Sequence, residues 1–242
     1  MTAPTIHFHF DPVCPFAWLT SRWVRNVVEQ RPMEVDWRFI SLRLINEHVD
    51  YGAHFPPEYE QGHTAGLRML RVCAAARERH GREVVGDLYT ALGGSVFEVD
   101  PPGDQAAYRD GMGQPGTVAP LLAELGLDAD LVDALDDTSF DAVIRAETDE
   151  ALARTGKDVG TPIIAYEPPD GPAFFGPVIS RVPEGDDAVR LWDAVLELTS
   201  FPGFAELKRS LRERPALRVL GLAPDQRGQE EDWHQGSRRL KK

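Results

Sequence analysis

The chain has two cysteines, and their surroundings differ in a way that bears on chemistry. Cys14 stands in "FDPVCPFAW", directly after the apolar, strand-like "IHFHF" and before a helix-like segment. A cysteine at a helix start lies near unpaired N–H groups and the positive end of the helix dipole, which favour the thiolate. Pro15 suits the first helical position because it has no N–H to leave unpaired. Position alone leaves two interpretations of Cys14 open: a nucleophile with a pKa below the free value, and a small buried hydrophobe.

Cys73 has the surroundings of a packing residue. It falls on one helical stripe with Met69, Leu70 and Ala76, at spacings of three and four residues. Apolar residues at that spacing form the buried face of a helix, where a free cysteine acts as a small hydrophobe. We therefore expect Cys73 to lie in the core.

The composition limits the classes of partner. Lys and Arg number 26 against 39 Asp and Glu, so the formal net charge is −13. An acidic chain without a basic block is a poor binder of nucleic acid or anionic membrane, so we expect neither, and instead a small molecule or thiol. The two cysteines and the absence of a signal-peptide pattern in "MTAPTIHFHF" predict a cytoplasmic location. We expect no metal site, because the pair His7 and His9 lacks an obvious third ligand.

The hydrophobic pattern predicts an α/β fold interrupted by helices. Alternating apolar residues in "IHFHF" and around Trp37 predict two strands, and the helical spacing that begins at Phe16 predicts a helix between them, so the strands should be parallel. From 56 to 156 no strand pattern is found, and several helical segments end at glycine. "TPIIAYE" and "PAFFGPV" then predict a hairpin, and "DDAVRLWDAVLELTS" a further helix.

These patterns divide the chain into three parts. We predict a discontinuous α/β domain from residues 1–55 and 157–220, an all-helical insertion domain from 56–156, and a polar tail from 221–242. The charged composition of that tail predicts a loose segment. For the assembly, a monomer and a homodimer both remain open.

The ordered motifs resemble those of a known family. "DPVCPFAW", the helical insertion and "DVGTPIIAY" resemble the DsbA-like branch of the thioredoxin superfamily. The segments "SRWV", "SLRLINE", "DLYTALG", "FFGPVISRVP" and "LWDA" resemble the mycothiol-dependent nitroreductase family of that branch, and the similarity covers residues 5 to about 210. The resemblance implies a thioredoxin-like fold and a thiol-dependent oxidoreductase or transferase with no bound cofactor. It also implies a low-molecular-weight thiol, mycothiol or similar, as cosubstrate, and an electrophilic small-molecule substrate.

The resemblance also implies the residues of the site. Cys14 would be the nucleophile, Pro15 would shape its turn, and a cis peptide between Thr161 and Pro162 would present the backbone to the thiol. The other residues expected at the thiol or substrate pocket are Phe16, Trp18, Asn46 and Tyr59, although core packing fits Trp18 equally well.

Ala17 is the main departure from the family motif. The dithiol form of the motif is Cys-Pro-Trp-Cys, whereas this chain has Cys14 followed by proline, phenylalanine and alanine. Thiol-disulfide exchange passes through a mixed disulfide, which a second thiol must resolve. With Ala17 in the resolving position no local disulfide can form. We therefore predict a monothiol site that cycles through mixed disulfides between Cys14 and a small thiol.

Two other functions fit the same architecture. The kappa-class glutathione transferases and hydroxychromene-carboxylate isomerases share it, but often place serine at the position of Cys14. A degenerate binding module would keep the fold and lose the chemistry. Fast alkylation of Cys14 at neutral pH would favour an enzyme, and an inert Cys14 would favour a scaffold.

Overall fold

A four-stranded mixed sheet positions the N-terminal motif. The structure is a computed structural model that describes residues 3–56, 58–234 and 237–238. The strands, in the spatial order β2-β1-β3-β4, are β1 (Thr5–Phe10), β2 (Glu34–Phe39), β3 (Ile163–Tyr166) and β4 (Ala173–Phe175). β1 and β2 are parallel, which confirms the predicted strand-helix-strand unit. β3 pairs antiparallel with both β1 and β4, so the predicted hairpin is also confirmed.

The helices lie around this sheet. Their bounds are α1 (Pro15–Val28), α2 (Leu42–Ile45), α3 (Tyr51–His54), α4 (Glu58–His80), α5 (Glu83–Phe97), α6 (Gln105–Gly111), α7 (Pro115–Glu124), α8 (Asp141–Thr155) and α9 (Gly185–Ser200). Two 3-10 helices, Ala129–Asp136 and Thr138–Phe140, precede α8. Within the described part of the chain, none of the helices has the length and apolar character to cross a membrane.

The sheet and the inserted helices share one apolar core. Phe10 of β1 stacks on Tyr89 of α5 with ring centroids 3.9 Å apart, and Trp37 of β2 lies 5.6 Å from the same tyrosine ring. Trp23 of α1 packs against Trp192 of α9. One cluster of buried residues includes members of all these elements. The division of the chain into two domains therefore stays a prediction.

The C-terminal region is more ordered than expected. We predicted a loose tail from residue 221, but β6 (Glu230–His234) pairs antiparallel with β5 (Leu211–Glu213) and also with β7 (Ser237–Arg238). We call residues 211–234 the C-terminal arm. A Cβ on Gly228 would lie 2.2 Å from the backbone oxygen of Arg214, so the close approach of the two segments requires glycine there. The predicted looseness is thus wrong for Glu230–His234, because backbone pairing outweighs its charged composition. Residues 235–236 and 239–242 of the predicted tail lie outside the described part of the chain.

Candidate active site

The sheet register brings Cys14 and Thr161 together. β1 ends just before the cysteine, β3 begins just after the threonine, and His9 pairs antiparallel with Ile163. The Thr161 hydroxyl donates to the backbone oxygen of His9 at 3.2 Å, which fixes the loop to the end of β1. The peptide bond between Thr161 and Pro162 is cis, as predicted. The Cys14 thiol donates to the backbone oxygen of Thr161 at 3.3 Å.

Cys14 is the N-cap of α1. Its backbone is extended, with φ of −84° and ψ of 114°, and Pro15 occupies the first helical turn. The backbone N–H of Ala17 donates to the Cys14 sulfur at 3.4 Å, so the sulfur takes the place of the usual capping oxygen. The predicted position at a strand-to-helix junction is therefore present, and Ala17 lies where a resolving thiol would stand.

The expected low pKa of Cys14 is not found. The residue is only 5% exposed, and burial raises the pKa of its thiol to about 12 although the N–H of Ala17 opposes this shift. The negative charge of Asp11 raises the pKa further. The hydrogen bond to Thr161 also favours the protonated form, because a thiolate has no proton to donate. The prediction of a lowered pKa was wrong because burial outweighs the helix N-terminus.

Asp11 is a buried carboxyl group beneath this turn that sequence reasoning did not select. Its side chain accepts from the N–H of Val13 at 3.1 Å and from the N–H of Leu42 at 2.8 Å, which joins the Cys14 turn to α2. Burial raises the pKa of Asp11 to about 7, although both hydrogen bonds lower it. An aspartate three residues before the cysteine is a weak signal, since short polar side chains are common in turns.

An open cavity of about 2500 Å³ meets the Cys14 turn. Its walls include five of the predicted site residues besides the cysteine: Pro15, Phe16, Asn46, Tyr59 and Thr161. Asn46 ends α2 and donates its side-chain amide to the backbone oxygen of Leu42 at 2.8 Å. Pro162 is buried and does not line the cavity, so within this loop Thr161 lines the cavity and Pro162 does not.

Trp18 lies in the core and not in the cavity. It is 2% exposed, and its indole N–H donates to the side chain of Glu98 at 2.8 Å. A Cβ on Gly93 would lie 2.3 Å from the indole ring, which shows how closely α5 packs on it. The structure therefore places Trp18 in the core, as the alternative of core packing predicted, and not on the cavity wall.

The predicted Tyr59 belongs to a cluster of rings on one cavity wall, and its neighbours Phe55 and His63 were not predicted. Tyr59 of α4 stacks on Phe55 with ring centroids 5.4 Å apart, and the Nδ1 of His63 lies 3.0 Å from the hydroxyl of Tyr51. Burial, with a smaller effect of Arg43, lowers the pKa of His63 to about 4, so this imidazole is neutral at pH 7. The spacing of four between Tyr59 and His63 on one helix could have indicated this wall.

The described residues hold no group of three or more His, Cys, Asp and Glu side chains arranged to bind a metal ion. The pair considered from the sequence lies on β1, where His9 is buried and its Nδ1 is 3.3 Å from the backbone oxygen of Ile163. His9 therefore takes part in the sheet, and the pair is not exposed as a metal-binding surface.

Comparison with known proteins identifies relatives for most of the chain. The sequence model of the Rv2466c-like family, described as mycothiol-dependent nitroreductase Rv2466c, matches residues 13–209. The uncharacterized protein Rv2286c of Mycobacterium tuberculosis (strain ATCC 25618 / H37Rv) is 33% identical over 207 residues, which cover 85% of this chain and 81% of that protein.

Solved structures agree on the fold. The cytosolic disulfide reductase DsbM from Pseudomonas aeruginosa superimposes with a TM-score of 0.50 and 18% sequence identity, over 80% of this chain and 99% of that chain. At that identity the likeness concerns the fold alone. The predicted fold class, a DsbA-like thioredoxin fold with a large helical insertion, is confirmed.

Proposed function

The chain belongs to the mycothiol-dependent nitroreductase family, and on that premise we propose that it is a monothiol oxidoreductase in which Cys14 forms mixed disulfides with a low-molecular-weight thiol. The proposal depends most on one observation. The sulfur of Cys14 caps α1 and faces the loop at Thr161 in an open cavity, while the resolving position is occupied by alanine.

The rest of the chain supplies no second thiol at this cavity. Cys73 is the other cysteine, and its side chain is fully buried in α4 within the main apolar cluster. It does not line the cavity that contains Cys14. The thiol that resolves a mixed disulfide on Cys14 therefore comes from solution, and mycothiol is the thiol that the family name supplies.

The proposed cycle is a pair of exchange steps. In the first, the Cys14 thiolate attacks one sulfur of a small-molecule disulfide, the S–S bond breaks, and the released thiolate takes a proton from water. In the second, the thiolate of a small thiol attacks the other sulfur of the mixed disulfide, a new small-molecule disulfide leaves, and Cys14 regains a proton. Over these two steps one half of the first disulfide leaves as a thiol and the other half leaves joined to the incoming thiol. A second incoming thiol that attacks this mixed product releases the remaining half, and the two thiols together then supply the two electrons that the first disulfide gains.

The cavity suits this cycle because two ligands have to meet at one sulfur. Pockets for single drug-sized ligands have volumes of roughly 300–1,000 Å³. The cavity of about 2500 Å³ leaves room for a thiol and an electrophile together. Phe16, Asn46 and Tyr59 supply apolar and hydrogen-bonding groups along its walls.

The proposal is tested by turnover with a defined thiol. Reduction of bis(2-hydroxyethyl) disulfide should require added mycothiol, and Cys14→Ser should lower the rate by at least about a hundredfold because the nucleophile is removed. Cys73→Ala is the matched control, since it removes a thiol of the core without burying a hydroxyl there, and its rate should stay close to that of the parent. Turnover that persists in Cys14→Ser would contradict the proposal.

A further inference from the structure

The C-terminal arm lies outside the segment that matches the family, which ends at residue 209, yet it is anchored beside the active site. Leu217 is 2% exposed and belongs to the main core cluster. The backbone N–H of Ala216 donates to the oxygen of Ser180 at 2.8 Å, and the Ser180 hydroxyl donates to the oxygen of Glu213 at 2.9 Å. The arm is therefore a fixed part of this wall.

The C-terminal arm places the guanidinium group of Arg212 near the Cys14 turn. Arg212 lies in β5, and its guanidinium carbon is 5.6 Å from the ring centroid of Phe16. Phe16 packs in one small buried cluster with Cys14 and Ala17. Arg212, Phe16 and Cys14 all line the same cavity. A molecule that reaches the sulfur over the face of Phe16 therefore passes the guanidinium group.

The wall around Arg212 carries charges of both signs. Glu213 is paired with Arg181 at 3.2 Å and with Arg227 at 3.3 Å, and Arg227 also lies 3.8 Å from Glu230. Glu231 stands opposite Arg212 in the register of β5 and β6, but Arg212 lines the cavity and Glu231 does not. A cation on the wall of a cleft raises the local concentration of an anionic reactant.

We propose that Arg212 makes the site selective for reactants with a carboxylate-like anionic group close to the reacting atom. This inference rests on the proposed role of Cys14 and specifies the class of molecule that reacts there. A guanidinium group has five N–H donors in a planar fork that fits a carboxylate, and it can serve more than one acceptor. The anionic group belongs to the electrophile, because mycothiol, the thiol that the family name supplies, has no carboxylate.

Two alkylating reagents test the electrophile side with the same chemistry. Iodoacetate and iodoacetamide each lose iodide when the sulfur attacks carbon, a thioether forms, and the thiol proton passes to the buffer. The reagents differ in charge, so the ratio of their rate constants at Cys14 cancels changes in thiol pKa and access. Intact mass and peptide mapping separate labelling of Cys14 from that of Cys73.

Three variants separate charge from packing. Arg212→Gln should lower the iodoacetate-to-iodoacetamide ratio by about fivefold, because a nearby positive charge is lost. Arg212→Lys should keep most of the ratio, since the charge remains. Arg214→Gln is the matched control: it removes the same charge from the same arm, but Arg214 does not line the cavity, and the ratio should stay at the parent value.

A second pair of reagents tests the attack of a small thiol on the mixed disulfide of Cys14. Cys14 is converted to its mixed disulfide with 2-mercaptoethanol, and its release by N-acetylcysteine is compared with release by the neutral N-acetylcysteine amide. A selective loss of the charged reagent in Arg212→Gln, with either reagent pair, supports the inference, because in both pairs the charged reagent places a carboxylate next to the atom that reacts at Cys14.

If Arg212→Gln leaves the ratio of rate constants unchanged with both reagent pairs, the inference about Arg212 is overturned and the proposed function stays intact. If instead Cys14 reacts with none of the four reagents in any variant, the inference and the proposed role of Cys14 are both contradicted. Melting temperatures of all variants confirm that each ratio refers to folded protein.

Discussion

At the scale of single residues, the resting thiol is held in its protonated form. Burial raises the pKa of Cys14 to about 12, and the nearby Asp11 charge raises it further. Asp11 itself has a pKa of about 7, raised by burial, so its charge appears as the pH rises through neutrality. Ionisation of Asp11 therefore opposes ionisation of Cys14 in the pH range where a thiol enzyme works.

Neutralising Asp11 should make Cys14 more reactive at alkaline pH. Asp11→Asn removes the charge, together with one of the two backbone hydrogen bonds because the amide nitrogen cannot accept. Iodoacetamide should label Cys14 of this variant about fivefold faster than in the parent at about pH 8.5. At about pH 6 the carboxyl of the parent is mostly protonated, and the two proteins should label at similar rates. Equal rates at both pH values would show that the Asp11 charge does not act on the sulfur.

The parent and the Asp11→Asn variant should also differ in how their stability depends on pH. Because the folded pKa of Asp11 is raised above its ordinary value of 3.8, the native state keeps this proton between about pH 4 and 7 while the unfolded state has lost it. The contribution of Asp11 to the free energy of unfolding is therefore full below that window and falls as the pH rises to 7. In Asp11→Asn this fall should be absent, and urea titrations across the window measure it.

At the scale of elements, α4 packs closely on the Cys14 turn. A Cβ on Gly66 would lie 2.4 Å from the carboxylate oxygen of Asp11 and 2.8 Å from the side chain of Val13. Only glycine at this position lets the helix approach the turn so closely. The contact joins α4 to the Cys14 turn and brings the two together at the cavity that both line.

Adding a single methyl group at Gly66 should displace this turn. Gly66→Ala should lower the free energy of unfolding by about 1–3 kcal/mol, because a close-packed contact is overfilled, and it should change the rate of Cys14 labelling. Gly62→Ala is the matched control on the same helix, since nothing lies within 4 Å of its Cβ. That variant should gain roughly 0.5–1 kcal/mol through helix propensity and label like the parent. Equal stabilities for the two variants would refute the close packing.

Local patterns predicted the elements but not the contacts between them. The β1-α1-β2 unit, the helical insertion and the loop at Pro162 follow from periodicity, from proline and glycine positions and from the motif. The contact of Gly66 with Asp11 and the approach of Arg212 to Phe16 join residues far apart in the chain, which a single sequence does not relate. The strand β6 was missed because its charged sequence has no apolar alternation.

At the scale of the whole molecule, the main apolar core contains Cys73 but not Cys14. Phe10, Tyr89 and Trp37 tie the sheet to the inserted helices, and Cys73 is buried among the residues of that core. Cys14 lies in a separate small cluster that borders the open cavity. The architecture therefore places one thiol at the border of the cavity and keeps the other in packing, which is the physical basis of the proposed monothiol cycle.

The most direct test of that cycle is the intact mass of the protein after mild oxidation in the presence of a small thiol. The parent should gain one thiol adduct on Cys14, and added reductant should remove it. Ala17→Cys should instead lose two hydrogen atoms and gain no adduct, because residues three apart at a helix start are neighbours and can form a disulfide. An internal disulfide between Cys14 and Cys73 in the parent would contradict the account, since the resolving thiol would then belong to the protein itself.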